Sequence, residues 1–157
     1  MIYIAADHAG FEPKKEIINY LKKEDIQATD LGPKVFNPKD DYPDFAFPLA
    51  QKTAADQKNK GILLCRSGIG MTIAANKVKG ARAVLCLFVK QTQESREHND
   101  ANIIVLAADF TSKQDIKKII KKFLETKFSK EERHIRRIKK IKEFEKEARQ
   151  KLKHLGG

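Results

Sequence analysis

Cysteine is scarce: only Cys65 and Cys86 occur among 157 residues, each near the end of an apolar run. Two thiols cannot build the disulfide framework of a small secreted scaffold, and their placement is that of a reducing compartment. Long apolar stretches are also missing. The opening MIYIAADHAG runs directly into a short strand-like segment, without the basic start of a signal peptide or the length of a membrane span. The expectation is a cytoplasmic chain with no membrane contact. No group of His, Cys, Asp or Glu shows metal-ligand spacing, so no metal is expected. Neither internal repeats nor a low-complexity linker divide the sequence, and its length suffices for one unit with a sizeable core of its own.

Charge is present in excess but unevenly. Residues 1–112 carry 15 Lys+Arg against 14 Asp+Glu, whereas residues 113–157 carry 17 against 7, so nearly all of the net +11 lies in the last third. Such a run either solvates the outer face of a terminal helix or attracts phosphate, on a small molecule or on nucleic acid. It holds no Tyr or Trp, and only Phe123, Phe128 and Phe144 interrupt its charges, too sparse a set for base stacking, which disfavours nucleic acid.

Short apolar runs at Ile2 to Ala6, Gln27 to Leu31, Gly61 to Cys65, Ala81 to Leu87 and Asn102 to Ala107 have strand length, and most are apolar on both faces. Between them lie helical patterns around 11–24, 43–58, 71–79, 89–98 and 113–126. This alternation predicts a three-layer α/β/α fold, Rossmann-like, with a five-stranded parallel sheet covered on both faces. Ligands of such sheets bind at the loops that follow the strands. A long C-terminal helix is predicted over about 130–153, opened by a Ser129–Glu132 capping box and carrying an apolar stripe of Ile135, Ile138, Ile141, Phe144, Ala148 and Leu152. Residues 1–128 are thus expected to form the α/β domain, and 129–157 a basic helix packed on it or on a partner subunit.

Unusual residues gather beside three of the predicted strands. Asp7-His8-Ala9-Gly10 follows the first, Cys65-Arg66-Ser67-Gly68-Ile69-Gly70-Met71 closes the third, and Glu97-His98-Asn99-Asp100 precedes the fifth. The loop 66–70 opens a helix, so it is either a tight turn or a cradle of backbone N–H groups for an anion. Cys65 lies ahead of that helix, where a thiol pKa can be lowered toward a thiolate base; the alternative is a buried small hydrophobe, the reading applied to Cys86. His8 and His98 are structural or serve as acid, base or donor. Arg133 and Arg137 share one helix face beside Arg136, and either grip phosphate or stay solvated.

Taken in order, AADHAGFEPKKEI, DDYPDFA, GILLCRSGIGMTIAANKVKGARA, REHNDANIIVLA and ERHIRRI resemble the ribose-5-phosphate isomerase B and galactose-6-phosphate isomerase family over roughly residues 1 to 140. The resemblance implies an aldose–ketose sugar-phosphate isomerase that works through an enediolate, needs no cofactor and shares its site between two subunits of a homodimer or dimer of dimers. It implies that Cys65 is the base, that Ser67 moves the hydroxyl proton, and that the N–H groups of residues 66–70, Gly68 and Gly70 among them, stabilise the oxyanion with Asn99. His98 would open the sugar ring and Asp7 would bind its hydroxyls. His8, Arg133 and Arg137 would hold the phosphate, with Tyr42 near the sugar.

Two positions depart from that family. Arg66 stands where Gly is usual, and Asp109 where a phosphate-binding Arg is usual. The expectation is that Arg66 compensates, either by touching phosphate or by pairing with Asp109 across the subunit interface. His8 points to ribose 5-phosphate as substrate. The alternatives are an isomerase for galactose 6-phosphate or a similar sugar, and a non-catalytic protein that binds sugar phosphate or RNA.

Overall fold

The computed structural model describes residues 1–155, and the side chains of residues 1–148. Leu152 of the predicted stripe therefore lies outside the described side chains. Strands β1 (Ile2–Ala6), β2 (Thr29–Asp30), β3 (Lys60–Cys65), β4 (Ala83–Leu85) and β5 (Ile103–Ala107) alternate with helices. The helices are α1 (Phe11–Lys23), α2 (Pro43–Ala54), α3 (Ile69–Ala75), α4 (Val89–Asn99), α5 (Lys113–Glu125) and α6 (Glu132–Leu155). The strands form one parallel sheet in the order β2-β1-β3-β5-β4.

Strand side chains alternate between faces, and both faces are apolar here. Ile4, Ala6, Ile62, Leu64, Ile104 and Leu106 pack against α1 and α5, while Ala5, Leu63, Cys65, Ile103 and Val105 pack against α2 and α3. Cys86 is fully buried in the first layer, the small-hydrophobe role expected of it. The register pairs Gly61 with Ile103 at one edge of the sheet and Cys65 with Ala107 at the other. Every strand therefore ends on the edge that carries Asp7, Cys65 and Asp109.

The edge strands are shorter than their apolar runs. Only Thr29–Asp30 and Ala83–Leu85 pair, because β2 and β4 each have a neighbour on one side alone. Helix α2 stops at Ala54, after which Asp56 turns the chain by accepting the Lys58 N–H at 2.8 Å. The predicted helix over 71–79 begins earlier and stops at Ala75, because the Asn76 amide bridges α3 to β4, bonding Thr72 O, Ala83 O and the Ala83 N–H. Lys14, wholly buried, donates to Asp30 Oδ1 at 2.8 Å and to Pro33 O at 2.7 Å, anchoring the long segment between β2 and α2. Burial alone would push the Asp30 carboxyl up, but bonds from Lys14, the Gly32 N–H and Lys34 outweigh it and hold it below its ordinary value.

The predicted capping box does not form. Ser129 Oγ instead accepts the Glu131 N–H at 3.3 Å and pairs with His134 Nδ1 at 2.8 Å, since the buried His134 ring competes for the hydroxyl that Glu132 would have used. Along α6 only Ile138 of the stripe's isoleucines is buried; Ile135 and Ile141 are 48% exposed and Phe144 is 72% exposed. Single-chain packing leaves Ile135, Ile141 and Phe144 uncovered.

Candidate active site

At the C-terminal edge of β1, Asp7 leaves the strand and caps a 3-10 turn, His8–Gly10. Its Oδ1 accepts the N–H groups of Ala9 and Gly10 at 3.0 and 3.1 Å. Burial raises the Asp7 pKa, with nearby Asp40 adding to the rise, against the pull of those N–H groups and of His8. Gly10 is required here: a Cβ would stand 2.7 Å from the Leu64 carbonyl oxygen of β3, backbone that cannot move away.

Beside it, Cys65 ends β3 and the chain turns through Arg66, Ser67 and Gly68 into α3. Gly68 adopts a left-handed φ of 77°, and a side chain there would collide with Leu85. This conformation aims the Gly68 N–H at Cys65 Sγ, 3.1 Å away, and Ser67 Oγ accepts the Ile69 N–H at 3.4 Å. The Tyr42 ring lies over Gly70, so close that a Cβ on Gly70 would fall 2.8 Å from its Cζ. Asp7, His8, Tyr42, Cys65, Ser67, Gly68 and Gly70 thus meet at one edge.

The thiol is not depressed, contrary to the expectation from its place ahead of a helix. Burial raises the Cys65 pKa, and Asp7 raises it further; N–H groups of Met71, Gly68 and Ser67 pull against this without prevailing. Removal from water disfavours the thiolate more than three backbone donors favour it. The outcome is a thiol that gives up its proton less readily than one in water.

Arg66 lies 3.8 Å from Asp109 Oδ2, and its carbonyl accepts the Asp109 N–H at 3.1 Å. The pair forms within one chain rather than across an interface. With side chains 70% and 50% exposed it adds little to stability, and the guanidinium remains open to an anion at this edge.

His98, Asn99, Arg133 and Arg137 lie elsewhere. Helix α4 runs back from the C-terminal edge, and Asn102, just beyond it, bonds Gly61 at the start of β3. Four strand steps separate Gly61 from Cys65, about 13 Å at the usual rise, so His98 and Asn99 face the opposite edge from the thiol. They are held firmly there. Asp100 takes the left-handed conformation that closes α4, gripped by Arg96 at 2.7 Å and Arg82 at 3.0 Å. The His98 ring stacks on the buried His134 with centroids 4.5 Å apart, which sets Arg133 and Arg137 of α6 on the same side. Arg133 also reaches Glu131 at 2.8 Å, and Arg137 is exposed. One chain therefore divides the expected residues into two groups on opposite edges of the sheet.

A family model described as Ribose/Galactose Isomerase matches residues 2–141. The chain belongs to the ribose/galactose isomerase family. Its relatives include ribose-5-phosphate isomerase B of Mycolicibacterium paratuberculosis, 41% identical over 144 residues, covering 92% of this chain and 91% of that protein. Among solved structures, ribose-5-phosphate isomerase B of Mycoplasma genitalium with bound ribulose 5-phosphate is 43% identical at a TM-score of 0.89, covering 93% of this chain and 96% of that one. The type B ribose 5-phosphate isomerase of Trypanosoma cruzi superposes at 0.87 with 43% identity, covering 93% and 98%.

Against this family background, three groups escape a reading of motifs: Asp40, which bonds His8; His134, which stacks on His98; and the Arg82–Asp100–Arg96 clamp. Asp40 opens the quoted segment DDYPDFA, and His134 lies inside ERHIRRI. Both were within sight, but nothing in local spacing names their partners.

Proposed function

We propose that this protein interconverts ribose 5-phosphate and ribulose 5-phosphate through an enediolate. The observation that carries this reading is the buried Cys65 Sγ, set against the N–H groups of a glycine-bearing loop at the strand edge, in a chain of this family. Cys65 as thiolate takes the proton from C2 of the open-chain aldose, the electrons move onto the C1 carbonyl oxygen, and the Cys65 thiol, whose proton exchanges with solvent, then protonates C1. Ser67 carries the hydroxyl proton, and loop N–H groups with Asn99 meet the oxyanion charge. His98 opens the ring, Asp7 and Tyr42 engage the sugar, and His8, Arg66, Arg133 and Arg137 hold the phosphate.

Because the two half-sites face opposite edges, each complete site takes Cys65 from one protomer and His98 from another. A two-fold dimer meets this need, since an isologous contact completes both sites at once. Exposed Ile69, Ile73, Phe88 and Phe110 near one edge, and Ile135, Ile141 and Phe144 on α6, supply apolar surface for such a contact. The protein works in the cytoplasm in this reading; among the described residues no helix is long and apolar enough to cross a membrane.

The purified protein is expected to form ketose from ribose 5-phosphate faster than from any hexose 6-phosphate at equal concentration. Preference for galactose 6-phosphate would move the assignment within the family, and inertness toward the whole panel would remove it. The raised thiol sets the pH dependence. A base must be deprotonated, so kcat/KM is expected to climb with pH past the point where an ordinary thiol would level off. Asp7→Asn, which removes an anion that raises the thiol, should shift that climb toward lower pH even as it lowers the rate.

A further inference from the structure

Asp40 stands 32 residues from His8 in sequence, yet its Oδ1 accepts the His8 backbone N–H at 3.0 Å and lies 2.6 Å from the ring Nδ1. Its side chain is only 7% exposed, and its other oxygen, Oδ2, is buried with no hydrogen-bond partner among the described residues. Leaving a buried carboxylate oxygen without a protein partner is unfavourable. Among the described residues, both bonds that Asp40 Oδ1 accepts come from His8.

We propose that Asp40 is a positioning residue for His8, fixing the proton on Nδ1 and presenting Nε2 to the phosphate of the substrate. The inference rests on the reading that His8 binds that phosphate. An ionised carboxylate only accepts, so the nitrogen facing it must carry hydrogen, and the ring can then offer the ligand Nε2 alone. An ionised phosphate oxygen also only accepts. When phosphate is bound, Nε2 must therefore carry a second proton, and the cation so formed lies between two anions, Asp40 and the ligand. The backbone bond from His8 to the same Oδ1 holds the carboxylate in register with the ring. The Lys14–Asp30 and Lys14–Pro33 contacts anchor the segment that delivers Asp40.

Asp40→Asn keeps the size and an acceptor oxygen but removes the charge, so it separates positioning from folding. It is expected to raise KM for ribose 5-phosphate about ten-fold while kcat stays within about two-fold, the pattern of lost uniform binding. In a His8→Ala background the same change should alter KM by less than about two-fold, since residues acting through one another are not additive. Ring ¹⁵N shifts of His8 in the ligand-free protein should show Nδ1 protonated, and Asp40→Asn should disturb that pattern at an unchanged melting temperature. Equal KM factors in both backgrounds, or an undisturbed ¹⁵N pattern, would overturn the proposal. Titration of the His8 ring signals with inorganic phosphate tests it without turnover, and about ten-fold weaker binding is expected in Asp40→Asn. A wild-type protein inert toward ribose 5-phosphate but showing that weakening would refute the substrate and leave the Asp40–His8 link standing.

Discussion

Cys65→Ser is expected to lower isomerase turnover by at least about 10³-fold while leaving affinity for a non-reactive sugar-phosphate analogue within about two-fold. The two effects separate because of what the thiol does in the fold. Its Sγ accepts the Gly68 N–H at 3.1 Å, and a serine oxygen can accept the same bond, so the 66–70 turn and its aim at the substrate survive. Volume is nearly conserved in a packed layer where Cys65 is 5% exposed, so little cavity opens behind it. The base itself does not survive, because a serine hydroxyl ionises far less readily than even a thiol raised by burial. Assays of ketose formation beside calorimetric titration with the analogue check both halves. Turnover retained within ten-fold would assign the proton transfer to another group.

The second large effect comes from combining two inactive proteins. In the proposed two-fold dimer, Cys65→Ser and His98→Asn proteins, each nearly inert on ring-closed ribose 5-phosphate, are expected to recover about a quarter of wild-type activity after subunit exchange. The arithmetic follows from two-fold symmetry: about half of the dimers are mixed, and one of the two sites in each mixed dimer receives neither substitution. Recovery of this size arises only if Cys65 and His98 of a working site come from different protomers, the arrangement proposed from their placement on opposite edges of the sheet. Mass spectrometry of the intact dimers verifies exchange. Mixed dimers with no recovered activity would place both groups of a site in one chain and contradict the division drawn from β3 and α4.

Central strands and helix faces were legible because their signals are local. β1, β3 and β5 are apolar on both faces since neighbours cover them on both sides, and their predicted spans lie within a residue of those observed. The edges were less legible. Gln27 to Leu31 and Ala81 to Leu87 carry strand-like composition, but pairing there depends on a neighbour that exists on one side only. Ser129 followed by Glu132 has the spacing of a capping box, and only the tertiary placement of His134 decides where the hydroxyl bonds. The same limit governs the site. The Cys65 loop and the His98-Asn99 pair were visible as motifs, whereas the raised thiol depends on burial, and the Asp40–His8 bond on a segment folded back across 32 residues. The separation of the half-sites required the strand order and the direction of α4.

Solvent labelling tests the central claim most directly. Ribose 5-phosphate incubated with the protein in D₂O to equilibrium is expected to yield ribulose 5-phosphate carrying deuterium at C1, because a proton held on Cys65 between C2 and C1 exchanges with solvent during repeated turnovers. Proton NMR of the ketose reads the label. Ketose formed without deuterium at C1 would indicate direct hydride transfer between the carbons and contradict the enediolate account, and absence of ketose would contradict the isomerase assignment itself.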